Sequence, residues 1–432
     1  MKTERAATEP EEEDEPAAGT EAEGTSREDI RRGLRYVLTV FLIARVGITV
    51  LAVVSVALLP AFAKDQVRGI PGPVPVVGWP APPLAPELGW DNAATSFERF
   101  DALWFLRIAT SGYGVERLDD GSAAFFPGYP LAIRAVSPVL GGHPLAAALL
   151  ISNLSLLAAL AILYFLTRTE LSEALARRVV VYAVIFPTSF FFFAPYSESQ
   201  FFLLAITSLW AARRRRWWLA GLAGALAAAT RNVGLLLVVP LLVEAFHQRA
   251  EDADAQADPG RADLRLVAAV GAALAVGIGT AAYLLFWHNL AGHGLAPLHH
   301  QTTWQREFSY PWETLIGATR EAFKWIGVYA GGYHLLDWLI VVPGLAACAY
   351  ALIKFRPVYG VYAWASLAAP LLYVFQARPF MSVPRFLLPI FPVYWALARW
   401  GERRGVHELI VAAGAVGLGV MTLLFVNWYY VF

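Results

Sequence analysis

The sequence has 432 residues, of which 57% are hydrophobic and 16% are charged, whereas soluble domains typically carry about 25% charged residues. This composition excludes a soluble protein. Because apolar stretches of roughly 20 residues recur along the chain, it also excludes a soluble domain on a single membrane anchor. Acidic and basic residues are balanced at 34 each, so the overall charge gives no reason to expect a nucleic-acid partner.

The chain opens with an acidic segment, residues 1–29, that is rich in Glu, Ala, Thr and Pro and lacks apolar periodicity. Such a segment cannot bury enough apolar surface to offset the entropy of ordering, so we predict a disordered tail before a membrane domain at 30–432. Basic residues beside a first span tend to remain in the cytoplasm, which predicts a cytoplasmic N-terminus. The basic residues in question are Arg27, Arg31, Arg32 and Arg35. Few Lys among the basic residues, with abundant Ala and Gly, favour a bacterial plasma membrane.

Eleven apolar segments predict about eleven transmembrane helices. They are residues 36–62, 144–167, 179–196, 199–212, 217–230, 233–246, 266–288, 333–353, 358–375, 385–399 and 408–431. In this topology each cytoplasmic loop between spans holds basic residues, as the positive-inside rule requires. The segments 217–230 and 233–246 are shorter than the roughly 17 residues of a full crossing. We interpret them as a hairpin, because one continuous helix would invert everything downstream.

Two long segments between spans, 63–143 and 289–332, fall on the outer side. The first contains a Pro-rich stretch followed by FERFDALWFLRIATSGYG and AAFFPGYPLAIRAVSPVLGG, whose aromatic, amphipathic pattern predicts helices lying at the membrane interface. The second contains a further amphipathic stretch, 311–327. The expected fold class is therefore an all-α polytopic membrane protein with amphipathic interfacial helices in its first outer loop.

Polar residues that could carry chemistry converge on the outer ends of the predicted helices, and no comparable set is expected on the inner side. They are Asp101, Glu198, Arg231, Asn232, His299, His300, Arg378 and Arg385, with Tyr196 in the same segment as Glu198. Asp101 begins an amphipathic helix, where the helix dipole favours an anion by about 0.3–1 kcal/mol. A purely structural role as an acidic N-cap is therefore an alternative for this residue.

The other candidates also have structural alternatives. A carboxylate or guanidinium near the membrane interior is costly unless paired or hydrated, which favours an ionic role for Glu198 and Arg231. Glu198 could instead be a surface carboxylate, and Arg231 could extend to the headgroups. Arg378 and Arg385 could bind phosphate or anchor a helix end. The adjacent His299 and His300 would diverge on a helix, so no metal site and no cofactor is expected.

Several motifs resemble those of the PIG-V-like mannosyltransferases, which are multi-spanning glycosyltransferases of the GT-C type. The matching pieces are FDALWFLRIATSGYG, AAFFPGYPL, FAPYSESQFFLLAI, AATRNVGLLLVVPLL and SVPRFLLPIFP, in family order over residues 97–395. The acidic tail and the Pro-rich stretch before Phe97 depart from the family pattern. The resemblance implies a GT-C fold.

The resemblance also implies transfer of mannose or a related hexose from a polyprenyl-phosphate sugar to a hydroxyl of a lipid or glycan acceptor on the outer face, with Asp101 matching the acidic residue placed as base. The chemistry agrees, because such a donor needs a base for the acceptor proton and cations for the leaving phosphate. We assign the phosphate to Arg231 and Arg385, and substrate hydroxyls to Glu198. The alternatives are a lipid-linked-sugar flippase and a non-catalytic subunit of envelope assembly.

Overall fold

The computed structural model describes residues 27–58, 92–114, 121–256, 258–324, 326–327 and 331–431. Most of the predicted acidic tail and the Pro-rich stretch of the first outer loop lie outside the described residues. The first helix begins at Arg27, so the last three residues assigned to the tail are helical.

The described residues are almost entirely helical. The helices are α1 (Arg27–Leu58), α2 (Asn92–Thr95), α3 (Asp101–Ser111), α4 (Gly128–Val136), α5 (Pro144–Glu170), α6 (Glu173–Ile185), α7 (Phe190–Phe193), α8 (Glu198–Arg213), α9 (Trp217–Thr230), α10 (Val238–Asp254), α11 (Pro259–Ala275), α12 (Gly277–Ala291), α13 (Ala296–Thr303), α14 (Pro311–Lys324), α15 (Gly331–Lys354), α16 (Pro357–Leu372), α17 (Val383–Leu387), α18 (Phe391–Trp400) and α19 (Val406–Val426). Three 3₁₀ segments, Ser122–Ala124, Ser137–Leu140 and Asn232–Leu237, complete the helical structure described. The all-α, polytopic class predicted from the sequence is confirmed.

Each of the eleven predicted spans overlaps one helix or two consecutive helical segments. Residues 373–375, at the end of the span 358–375, form a strand, and residues 59–62 of the first span lie outside the described residues. In the part of the chain that the structure describes, six helical segments are long and apolar enough to cross a membrane: Arg27–Leu58, Pro144–Glu170, Asn232–Asp254, Pro259–Ala291, Gly332–Lys354 and Val406–Val426. The other five predicted spans correspond to α6 with α7, α8, α9, α16, and α17 with α18, which are shorter. These shorter helices pack against the long ones.

The predicted hairpin of α9 and α10 is present, but its second half begins with a 3₁₀ segment and is longer than predicted. The chain leaves the helical conformation at Arg231, whose φ of −148° and ψ of 145° are extended. The 3₁₀ segment Asn232–Leu237 then packs back onto α9, where a Cβ on Gly234 would collide with the backbone of Ala227. Helix α10 continues to Asp254, well past the predicted end at 246. The extended residue therefore separates the two helices and places the Arg231 guanidinium beyond the end of α9.

The first outer loop contains the two predicted helices, but α3 is enclosed by protein. Seven of its eleven residues are buried, because α3 packs against α4 and α5. The Arg134 Nε on α4 donates to the Ala109 carbonyl at 2.8 Å and fixes the end of α3. The predicted position of α3 at the membrane surface is therefore wrong, because the helix is buried on most sides. Burial holds the helix in a fixed position, which suits a residue that belongs to a site.

The second outer loop is attached to the core by a short antiparallel ribbon. Strand β1 (Arg306–Phe308) pairs with β2 (Tyr373–Phe375), which follows α16, with Arg306 opposite Phe375. Trp304 packs edge-on against Trp104 of α3 and against Phe125, with ring centroids 6.2 and 6.0 Å away. The ribbon and this aromatic contact bring residues 304–308 next to the start of α3.

An ionic network connects α5, α8, α10 and α16 at the other end of α8 from Glu198. Glu244, whose side chain is fully buried, accepts from Arg213 at 3.2 Å and from Arg356 at 2.9 Å. Arg213 also donates to Glu170 at 2.8 Å. This set was not predicted, because the sequence suggested no comparable polar group on the inner side. Its charges are neutralised within the network, which is typical of a structural clamp.

Candidate active site

Four predicted residues from four distant parts of the chain meet in one cluster, which we call the ionic cluster: Asp101, Glu198, Arg231 and Arg385. Asp101 and Arg385 are separated by 284 positions in the sequence. Each residue lies at or near the end of a helix: Asp101 opens α3, Glu198 opens α8, Arg231 follows α9 and Arg385 lies in α17. The ends of these short helices therefore converge, as the sequence analysis predicted.

Hydrogen bonds join the ionic cluster into a continuous chain. The Arg385 Nη1 donates to Asp101 Oδ2, and the Arg385 Nε donates to Glu198 Oε1. The Arg231 Nη1 donates to the same Glu198 oxygen and lies 3.4 Å from Ser197 Oγ. Two carboxylates thus alternate with two guanidinium groups, and the formal charge of these four side chains is zero.

The two carboxylates of the ionic cluster differ in their solvent exposure. The Glu198 side chain is 0% exposed, whereas that of Asp101 is 13% exposed. Asp101 can therefore be approached by a substrate, while Glu198 is enclosed behind the arginines that it binds. The contact of Glu198 with substrate hydroxyls stays a prediction, and its hydrogen bonds to both guanidinium groups also suit a positioning role.

Asp101 does not cap its helix. The N-cap residue of α3 is Phe100, no side-chain cap hydrogen bond is present, and Asp101 is the first helical residue. Its carboxylate points to Arg385 instead. The helix dipole still favours the anion at this position, but capping does not account for an acidic residue here.

Aromatic rings enclose the guanidinium groups. The Arg385 Cζ lies 4.8 Å from the ring centroid of Tyr196 and 5.2 Å from that of Phe191. The Arg231 Cζ lies 5.0 Å from the ring centroid of Phe386. Cation–π contact of this kind stabilises a partly dehydrated guanidinium. The Tyr196 hydroxyl donates to the Arg99 carbonyl at 2.9 Å, so this predicted substrate-binding residue forms part of the wall of the site.

Strained backbone conformations gather around the ionic cluster. Six non-glycine residues in the described ranges have positive φ, and four of them lie here: Phe100, Gln305, Ser382 and Trp428. Phe100, directly before Asp101, has φ 54° and ψ −118°. Such conformations cost roughly 1–3 kcal/mol each and concentrate at functional sites. Their concentration at the start of α3 is consistent with a catalytic or binding function there.

Three predicted residues lie outside the ionic cluster. Arg378 forms a bidentate ion pair with Asp337, at 2.6 and 2.8 Å, and its side chain is 1% exposed, so it has a structural role. The Asn232 Oδ1 accepts from the Val233 backbone N–H at 2.8 Å. His300 lies in α13, and its side chain is outside the described residues, whereas His299 is exposed. Over the described ranges, no three His, Cys, Asp or Glu side chains form a group that could hold a metal ion.

Arg306 is a further residue at this site that the sequence did not predict. Its guanidinium lies near the ionic cluster, where the Asp101 carboxylate and the Arg385 guanidinium act on it electrostatically. Burial lowers the pKa of Arg306 from its usual value. The sequence gives little sign of this, because Arg306 stands in a loop without apolar periodicity, and only its aromatic neighbours Trp304 and Phe308 suggest a fixed position.

One family model and several solved structures of known proteins are similar to this chain. Residues 81–285 match the family model described as mannosyltransferase (PIG-V). No curated protein matches the chain. Similar solved structures include ArnT from Cupriavidus metallidurans bound to undecaprenyl phosphate, with 15% identity over 77% of this chain and 72% of that one and a TM-score of 0.45. Another is the Archaeoglobus fulgidus oligosaccharyltransferase tethered with an acceptor peptide, with 12% identity over 91% and 55% and a TM-score of 0.42.

The fold defines an all-α, multi-pass membrane protein, and residues 81–285 of the chain are similar to a mannosyltransferase family. The resemblance to the PIG-V-like mannosyltransferases found in the sequence is confirmed over residues 81–285, which is just under half of the chain. The matched range contains Asp101, Glu198 and Arg231 but ends before Arg306 and Arg385. The structure brings these last two residues to the matched part.

Proposed function

We propose that the protein transfers a hexose, in the first instance mannose, from a polyprenyl-phosphate sugar to a hydroxyl of a lipid or glycan acceptor. The reaction takes place on the extracytoplasmic face of a bacterial plasma membrane. The observation that carries this proposal is the ionic cluster: it joins an accessible carboxylate to guanidinium groups, beside a segment that matches a mannosyltransferase family. A base and a phosphate-binding cation are the two groups that such a donor requires.

The proposed mechanism is a single displacement with inversion. Asp101 takes the proton of the acceptor hydroxyl as its oxygen bonds to the anomeric carbon, and the bond from that carbon to the phosphate oxygen breaks. The polyprenyl phosphate leaves with the electron pair, and guanidinium groups stabilise the charge that develops on it. Glu198 and Tyr196 act as positioning residues, because they hold Arg385 and Arg231 in place.

The test is a transfer assay with purified protein, polyprenyl-phosphate mannose and a membrane lipid extract, in which the mannosylated product is identified by mass spectrometry. Polyprenyl-phosphate glucose and arabinose donors, assayed in parallel, report sugar choice. Absence of any glycosylated product with all three donors, from correctly folded protein, would contradict the proposal. It would favour one of the two alternatives, a flippase or an assembly subunit.

Asp101→Asn tests the base. We expect transfer to fall by at least a hundredfold, because general bases typically contribute factors of 10² to 10⁴. Asp258→Asn is the matched control, since that side chain accepts from the Gly260 N–H at the start of α11 and Asn caps helices equally well. Full transfer by Asp101→Asn at unchanged expression would show that the base is another group.

A further inference from the structure

The formal charges around Asp101 are balanced within the ionic cluster, which leaves no positive charge there for the donor phosphate. In the ionic cluster, Arg385 is paired with Asp101 and Glu198, and Arg231 is paired with Glu198. Two positive charges therefore face two negative charges, and the four side chains offer no net charge to a ligand. A phosphodiester donor carries one negative charge, so a further cation is required for neutrality at the site.

Arg306 supplies that cation. Its Nη2 donates to Ser382 Oγ at 2.8 Å and its Nη1 to the Tyr373 carbonyl at 3.3 Å, both uncharged acceptors. Across the described ranges no carboxylate lies within ion-pairing distance of Arg306. Two of the five N–H donors of the guanidinium are used in these two bonds. A partly buried arginine held by neutral acceptors is an anion-binding group, because its charge is not balanced by protein.

The position of Arg306 is fixed from two sides. Pairing of β1 with β2 sets its register opposite Phe375. On the other side, the Trp304 Nε1 donates to the Gly121 carbonyl at 3.5 Å, and its ring packs against Trp104 and Phe125. A Cβ on Gly121 would lie 3.1 Å from the Trp304 Nε1, so the glycine allows this close contact. The second outer loop is thereby attached to the aromatic motifs that follow Asp101.

We propose that Arg306 binds the phosphate of the lipid-linked donor, and that Arg385 takes the second charge of that phosphate once Asp101 is protonated. This inference rests on the proposed function. Before transfer, three guanidinium groups and two carboxylates leave one positive charge, which balances the diester. During transfer the acceptor proton neutralises Asp101, and the departing phosphate gains one negative charge. Asp101 then no longer neutralises Arg385. The three guanidinium groups and Glu198 together carry two positive charges, which balance the phosphate dianion.

The test measures binding of undecaprenyl phosphate, with uncharged undecaprenol as reference, to purified protein at pH 8 by fluorescence or calorimetric titration. We expect Arg306→Gln to weaken phosphate binding roughly tenfold or more, as for loss of a hydrogen bond between charged groups. Arg306→Lys should retain part of the affinity. Asp101→Asn, although inactive in transfer, should bind the phosphate more tightly than the wild type, because it mimics the protonated carboxyl group.

Arg320→Gln is the matched control, since Arg320 is exposed on α14 in the same outer loop. Undecaprenol binding should be the same in every variant, which verifies that each variant folds. If the wild type preferred the phosphate to undecaprenol and Arg306→Gln kept the same preference, the role of Arg306 would be wrong. If the wild type bound both lipids equally, the polyprenyl-phosphate donor itself, and hence the proposed function, would be contradicted.

Discussion

Glu198 is the most enclosed residue of the ionic cluster. One of its oxygens accepts hydrogen bonds from both Arg231 and Arg385, and its other oxygen, Oε2, has no hydrogen-bond partner in the part of the chain that the structure describes. Removing one member of a buried ion pair leaves an uncompensated charge. The free-energy cost of that charge is much larger than the net stabilisation that the intact pair provides. The residue that the sequence suggested as a substrate contact therefore matters most for the integrity of the site.

Glu198→Gln should lower the free energy of unfolding by about 3–5 kcal/mol, because two guanidinium groups would then share only the Asp101 charge. Thermal unfolding in detergent, with and without donor lipid, measures the effect. Glu408→Gln, at an exposed position in the first turn of α19, is the control and should change stability by less than about 0.5 kcal/mol. A loss of transfer activity at unchanged stability would instead restore the direct contact with substrate.

At the level of elements, the short helices are arranged by close backbone contacts. Gly128, the first residue of α4 and part of the FFPGYP motif, lies against the end of α9. A Cβ at this position would lie 2.6 Å from the Thr230 Oγ1 and 2.9 Å from the Ala229 carbonyl oxygen. Arg231 follows directly after Thr230. The glycine of the FFPGYP motif therefore sets the position of the guanidinium that follows the end of α9.

Gly128→Ala should reduce stability by about 1–3 kcal/mol, the usual cost of forcing atoms into a packed interface. It should also reduce transfer more than stability alone explains, because the displaced end of α9 carries Arg231. Transfer rates normalised to folded protein, read beside unfolding curves, separate the two effects. Gly271→Ala in α11 has open space around its Cβ position and serves as the control, and it should be neutral or slightly stabilising. Equal behaviour of the two variants would contradict the packing argument.

The sequence predicted the positions of the helices better than their lengths or their partners. Each of the eleven apolar segments is helical over most of its described residues, since hydrophobicity over 15–20 residues is a local property, although the last three residues of 358–375 form strand β2. The Asp101, Glu198, Arg231 and Arg385 set was also recognisable, because ionic residues at the ends of apolar segments are costly unless paired. The pairing of Arg378 with Asp337 was not recognisable, because it depends on which helices become neighbours. Arg306 was missed for the same reason, as its place depends on a three-residue strand pair.

At the scale of the whole molecule, the topology gives a direct test. With the N-terminus inside, Arg320→Cys on α14 should react with a membrane-impermeant maleimide in intact cells, whereas Arg261→Cys on α11 should react only after permeabilisation. The only native cysteine, Cys348, is buried and should give no background. Labelling of Arg261→Cys in intact cells, with Arg320→Cys protected, would invert the orientation and move the site to the cytoplasmic face.

The shortness of α8 has a consequence for depth in the bilayer. This helix has 16 residues, with Glu198 at one end and the clamp residue Arg213 at the other, and at about 1.5 Å per residue it is about 24 Å long. The hydrocarbon layer is about 30 Å thick. In the proposed orientation, with Arg213 at the inner boundary, the ionic cluster would lie several ångströms below the outer headgroups. The donor phosphate would have to move below the headgroups to that depth. The transfer rate should therefore depend on bilayer thickness and be higher in thinner bilayers.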